Sequence, residues 1–354
     1  MNNVQLLLFK EPSSELETAI KSVNSSMPLA PNQEDFVRHV GATMLHATPG
    51  SVVLAATPSC DGLNEKIAEY LDQAAANGTG QGASAMCFVR IPTAHSGRAM
   101  QEKLLDAYHD ASCLRPSNRP APIQFEFQFD RSSLSRDPFT VVTGLVSQRP
   151  FDYYVISNAS DLARTGSSKF ESVESIRYII KLAKTMGRTH VIFASAAQMN
   201  SWLKYVEIAE ATLHCVLRPY DVTSEDDKQT FVDILGSYDS ILPWREGNCL
   251  ADHTDEINEF VFGCPYRLRT WIQKALIAHA KDDAPLTWER FIQNRPIKTL
   301  VDAALADFNA CNQLLGPTTR RQSQNNATLS PAKHYNRKPG QRLPHRDDVG
   351  IDAA

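Results

Sequence analysis

The chain is 354 residues long, 42% hydrophobic and 21% charged, a mix that fills ordinary cores, excludes wholesale disorder and suggests roughly two domains. A formal net charge of −4 excludes a protein that coats nucleic acid through bulk charge alone. No run of about 18 apolar residues is present to cross a membrane, and Met1 to Lys10 lacks the basic region and apolar length of a signal peptide.

Residues 1–27 read as an N-terminal extension, a short strand and a helix, with no assigned place in the fold. From 28 to 220, strand-like apolar runs alternate with amphipathic helices. Ser51 to Ala56 is an apolar run behind the turn Pro49-Gly50, and Leu63, Ile67, Tyr70, Leu71 and Ala74 then share one helical face up to Asn77-Gly78. Ala83 to Ile91 predicts a second strand, and Met100, Leu104, Leu105 and Tyr108 a helix. Pro122 to Asp130 alternates with period two, as a half-buried strand does. Asp152 to Ser157 is a further strand, followed by a helix from Phe170 to Ala183 that stops at Gly187. Thr189 to Ser195 and Thr212 to Leu217 complete the strands. This alternation predicts βαβ units and a mainly parallel sheet covered on both faces.

From 221 to 315 the pattern is helical throughout. Thr223 to Asp226 looks like a capping box, and helices are predicted over 255–262, 265–280, 286–292 and 297–315, with Pro265 suited to a first helical position. Residues 316–354 carry seven Lys/Arg against three Asp and few large apolar residues, which predicts a disordered basic tail; the remaining body holds −8. Arg320 and Arg321 in that tail are candidate contacts to DNA phosphates.

Ligands of open α/β sheets sit where strands end and helices begin. The first strand–loop–helix has the context of a phosphate-binding loop, for which the working pattern is G-x-x-x-x-G-K-[ST]. Its eight positions here are Thr57-Pro58-Ser59-Cys60-Asp61-Gly62-Leu63-Asn64, so only the second glycine is present. Leu63 stands for the lysine and Asn64 for the magnesium-binding hydroxyl, while Asp61 adds a carboxylate where phosphate would sit. The strand that should end in magnesium-binding and water-activating carboxylates ends instead in Ser157-Asn158. Lys66 and Asp161 are the nearest replacements.

Seven cysteines without a C-x-x-C pair fit reduced thiols in a cytoplasm, and ten histidines form no H-x-x-x-H group, so no metal site is expected. His190 and His214 fall within predicted strands and read as core histidines. Trp271, Trp288 and Tyr266 read as helical-domain core rather than a base-stacking platform.

The order of these segments resembles the AAA+ transposition regulators of the TniB/TnsC-like family over roughly Pro28 to Arg295. Val89 to Thr93 and the helix with Leu104 and Leu105 are similar to the family's second strand and helix. Phe151 to Leu162 stands where the family has hhhhDE-A-x-x-L, and Thr189 to Ser195 looks like its sensor 1 strand, with Ser195 at the polar position. Arg218-Pro-Tyr220 resembles the passage into the lid, and Gly263 to Ala275 the sensor 2 helix, with Arg267 or Arg269 as the sensor arginine. The resemblance implies an α/β, P-loop NTPase-like (AAA+) three-layer sandwich over 28–220, with a small all-helical lid domain over 221–315.

It also implies ATP binding, oligomeric assembly on DNA, and a link to a transposase. By the same analogy Arg90, Arg98 and Lys103 are candidate DNA contacts. The departures at Thr57, Leu63, Asn64, Ser157 and Asn158 instead lead to an expected pseudo-ATPase. It would be a cytoplasmic, oligomeric, DNA-associated adaptor in transposition whose partner is a transposase or an intact AAA+ paralogue. No cofactor is expected, with ATP and magnesium only as ligands of a residual site. The alternatives are a divergent active ATPase using Lys66 and Asp161, and an AAA+-like regulatory scaffold unrelated to transposition.

Overall fold

A computed structural model describes residues 23, 29–58, 63–77, 86–89, 108, 143–144, 151–157, 159, 169–245, 247–279 and 286–316. All of them belong to the compact unit that ends at Gly316. The predicted strand over 122–130, most of the helix before Tyr108, the loop 59–62 and the tail from 317 lie outside the described residues.

Five strands form one sheet: β1 (Val52–Ala56), β2 (Met86–Val89), β3 (Tyr153–Ile156), β4 (Thr189–Ala194) and β5 (Thr212–Val216). Their order is β2-β3-β4-β1-β5, and every pairing is parallel. Parallel strands need crossovers that cover both faces, so the central strands read as continuous apolar runs. Every residue of β1, β3 and β4 is buried, as that requires.

Side chains alternate between the two faces with period two. Val53 and Ala55 of β1 meet α1 (Pro31–His46) and α2 (Leu63–Ala76), through Phe36, Val40, Met44, Leu63, Ile67 and Leu71. Val52, Leu54 and Ala56 meet α3 (Lys169–Met186), α4 (Ala196–Trp202) and α5 (Val206–Ala211) on the other face. The result is a three-layer sandwich, a parallel sheet with helices on both faces. Gly41 lets α1 and α2 approach closely, since a Cβ there would lie 2.3 Å from the Tyr70 ring.

The helical segment comprises α6 (Glu225–Asp239), α7 (Thr254–Val261), α8 (Pro265–His279), α9 (Trp288–Gln293) and α10 (Lys298–Leu315). It has a core of its own around Phe231, Leu235, Ile257, Leu268, Trp271 and Phe291. Trp271 stacks on Phe291 with centroids 4.6 Å apart and donates its indole N–H to the Phe291 carbonyl at 3.2 Å, which satisfies its one polar atom. The start of α6 differs from the expected capping box. Ser224 caps nothing with its side chain; Asp227 accepts the Asp221 N–H at 2.9 Å, and Asp221 in turn accepts Thr223 N–H and O–H. These carboxylate bonds brace the turn 221–224 ahead of the helix rather than capping its first N–H groups.

Helix α10 packs away from its sequence neighbours. Its Ala310 and Cys311 are buried in the α/β core, and Asn200 of α4 donates to Gln313 at 2.7 Å. No helix among the described residues is long and apolar enough to cross a membrane.

Candidate nucleotide site

The carboxyl ends of β1, β4, β3 and β5 bring together Thr57, Ser195, Ser157 and Leu217, the place where ligands of such sheets bind. Thr57 is 5% exposed, and its N–H continues the β1–β4 ladder by donating to the Ala194 carbonyl at 2.9 Å. Leu63, at the lysine position, is 1% exposed because it opens α2 with its side chain in the sheet-facing core beside Ile67 and Leu71. The helix therefore begins with an apolar anchor in the sheet-facing core.

Asn64 and Ser157 are bonded to each other. The Asn64 amide Nδ2 donates to the Ser157 hydroxyl at 3.1 Å, joining the first turn of α2 to the end of β3 across 93 residues of chain. Among the described residues, Asn64 Oδ1 is buried without a donor. The two side chains thus form one neutral amide–hydroxyl pair.

Ser195 caps α4. Its hydroxyl accepts the Gln198 N–H at 3.2 Å, and the Gln198 side chain accepts the Ser195 N–H at 3.2 Å. This is a complete capping box, so Ser195→Ala is expected to cost about 1 kcal/mol, read as a lower urea midpoint at unchanged slope.

Arg267 reaches from the first turn of α8 to α10. Its Nη2 donates to Asp307 at 2.9 Å and its Nη1 to the Ala304 carbonyl at 3.2 Å. Asp307, 7% exposed at its side chain, also accepts the Ala197 N–H at 3.1 Å. A cleft of about 450 Å³ lies beside this pair, with Pro58, Ser195, Tyr266, Trp271 and Lys274 in its walls. Lys66 points elsewhere and pairs with Glu69 on the exposed side of α2 at 2.8 Å.

The structure therefore gathers Thr57, Asn64, Ser157, Ser195 and Arg267 around the strand ends. Asp61, Gly62, Asn158 and Asp161, and the candidate DNA contacts Arg90, Arg98, Lys103, Arg320 and Arg321, lie outside the described residues. Asp307 is the participant that sequence reasoning missed. Its signal was available: it is an acid on the otherwise apolar stripe Ala304, Ala310 and Cys311.

His190 is fully buried in β4, where its Nδ1–H donates to the Arg188 carbonyl at 2.8 Å and its ring stacks on Tyr154 at 5.2 Å. It is a core residue. Among the described residues, no three His, Cys, Asp or Glu side chains are grouped to hold a metal ion.

The chain matches no family model, and no curated protein is similar to it. Among solved structures it is similar to the ORC2 protein of Aeropyrum pernix in its ADPNP–ADP complexes, at 11% identity and a TM-score of 0.42, covering 77% of this chain and 71% of that one. It is likewise similar to a Walker-type ATPase of Pyrococcus abyssi, at 11% identity and TM-score 0.42, covering 83% and 79%. A third is the Drosophila ORC bound to DNA, at 11% identity and TM-score 0.41, covering 90% and 70%.

Proposed function

We propose that this chain is a P-loop-fold protein that does not hydrolyse nucleotide and serves as a DNA-associated assembly or adaptor subunit in transposition, contacting DNA and either a transposase or an intact AAA+ paralogue. The observation that carries the first half is the Asn64–Ser157 hydrogen bond. Magnesium at phosphate sites is held by carboxylate, hydroxyl and phosphate oxygens, and water activation needs a charged or strongly positioned base. A neutral amide donating to a neutral hydroxyl supplies neither.

The other side chains point the same way. Leu63 brings no charge to the β/γ-phosphate position, and Arg267 is committed to Asp307. These residues do not fit a magnesium–nucleotide complex, and no chemical step is assigned to one. The transposition half rests on the family resemblance of the sequence. Phosphate contact by the tail's seven Lys/Arg is compatible with an acidic body, because screening confines each charge's reach to about 8 Å at physiological salt.

Purified protein is expected to show no magnesium-dependent ATP turnover above a protein-free blank. Turnover abolished by Lys66→Ala or Asp161→Asn would overturn the reading in favour of a divergent ATPase. Copurification from the native host, with and without nuclease, is expected to recover a transposase or an AAA+ paralogue. Recovery of neither removes the adaptor role in transposition.

A further inference from the structure

The strand-end crevice already contains a part of this chain. Helix α10 lies along α4 and across the end of β5, with the Cys311 thiol 3.9 Å from the Leu217 carbonyl and Phe308 against Phe262. On the β5 side, between Pro58, Leu217, Pro265 and the α10 residues Asp307, Phe308 and Cys311, only about 20 Å³ remains, room for about one water. The cleft of about 450 Å³ stays open on the Ser195 side of the Arg267–Asp307 pair.

The chemistry of Asp307 matches its position. An anion entering beside Pro58 and Ser195 would seek the Arg267 guanidinium and the backbone N–H of Ala197, and the Asp307 carboxylate accepts from both. Charge-assisted bonds of this kind are among the stronger ones in proteins, and the pair is largely shielded from solvent. A second guanidinium bond, to the Ala304 carbonyl, fixes Arg267 against the same helix. Asn200–Gln313 extends the seam, and Ala310 and Cys311 fill the core beneath it.

We infer that α10 supplies the strand-end crevice with a built-in anion, Asp307, so that a phosphate-bearing ligand in the cleft beside it must compete with this helix for the Arg267 guanidinium and the Ala197 N–H. Both donors border the cleft of about 450 Å³, but with α10 in place Asp307 takes up their hydrogen bonds; removing its charge or displacing the helix frees them together. The inference rests on the proposed reading only for the location of the crevice. It concerns a metal-free anion, so a negative result here leaves the absence of ATP turnover standing, and measured turnover leaves this competition testable.

The probe is inorganic pyrophosphate without magnesium, titrated into the full chain by calorimetry. Asp307→Asn keeps the shape and one acceptor but removes the charge, and it is expected to bind pyrophosphate at least about tenfold more tightly than the parent chain. Adding Arg267→Gln to that variant is expected to abolish the gain. Equal affinity in parent and Asp307→Asn, including no binding by either, overturns the inference, as does a gain that survives Arg267→Gln. Should Asp307→Asn fail to fold, hydrogen exchange on the unaltered chain decides. Amides 304–313 should exchange several-fold faster in high pyrophosphate than in chloride of equal ionic strength, and unchanged exchange overturns the competition.

Discussion

Gly263→Ala is expected to lower the unfolding free energy by about 4 kcal/mol or more, among the largest effects of any single methyl in this chain. Two causes add. Gly263 has φ +63°, directly after Phe262 at φ 51°, so the chain takes two left-handed steps to turn from α7 into α8. A side chain at such a φ costs about 1 kcal/mol or somewhat more. The second cause is contact. A Cβ on Gly263 would lie 1.9 Å from the Tyr220 carbonyl oxygen and 2.8 Å from its carbon, and backbone atoms cannot swing aside. Relief requires moving apart the strands of chain joined by the hydrogen bond from Tyr220 N–H to the Gly263 carbonyl, 3.0 Å long. Tyr220 is also tied to α1, where its hydroxyl accepts the Asn32 N–H at 3.1 Å. One methyl would therefore strain the passage from the sheet into the helices.

The matched control is Gly187→Ala. Gly187 has nearly the same φ, +61°, and nothing within 4 Å of its virtual Cβ. Its replacement should cost about 1 kcal/mol, the conformational part alone. Urea denaturation of both variants separates the causes by subtraction. A Gly263→Ala loss no greater than that of Gly187→Ala would show that the close approach to Tyr220 is not made.

Periodicity and turn chemistry made the strands and long helices legible in the sequence. The runs around Val52, Tyr153 and Val191 are apolar at every position because both faces of a parallel sheet are covered. Helix α1 escaped the reading although Pro31 opens it and Phe36, Val37, Val40 and Met44 line its buried face. Helices α4 and α5 are seven and six residues long, too short for a 3.6-residue period to emerge from their apolar surroundings. Which residues stand at the strand ends, Leu63, Asn64 and Ser157 among them, was also legible. That Asn64 and Ser157 bond each other was not, because it depends on the sheet order that brings the end of β3 beside the start of α2. The same holds for α10. A buried stripe tells that a helix packs, not on what, and Arg267 and Asp307 are 40 residues apart.

The second large effect comes from acid, and His190 is its source. The ring is fully buried between Tyr154 and Tyr108, and burial pushes its pKa from the ordinary 6.5 down to about 4, against a smaller opposing pull from the Arg188 carbonyl. The carbonyl can only accept, so the neutral ring carries its proton on Nδ1, and Nε2 has no partner among the described residues. The folded pKa lies below the unfolded one, so unfolded chains take up a proton that folded chains refuse. Stability is whole above pH 6.5 and is lost as the pH falls toward 4. The expected loss is about 2 kcal/mol by pH 5 and about 3 kcal/mol by pH 4. Partial burial also lowers the His214 pKa, which adds a contribution of the same sign in the same window. Glu207 and Glu289 have pKa values lowered from the ordinary 4.5 by their hydrogen bonds, so the contribution they make is lost from about pH 4.5 downward and overlaps only the acid end of that window. His190→Phe preserves an aromatic ring between the tyrosines but removes the titration. Urea unfolding at pH 7.5 and about pH 5 should therefore show most of the parent's slope gone in His190→Phe and a small part gone in His214→Gln. An undiminished slope in His190→Phe would place the acid sensitivity elsewhere in the fold.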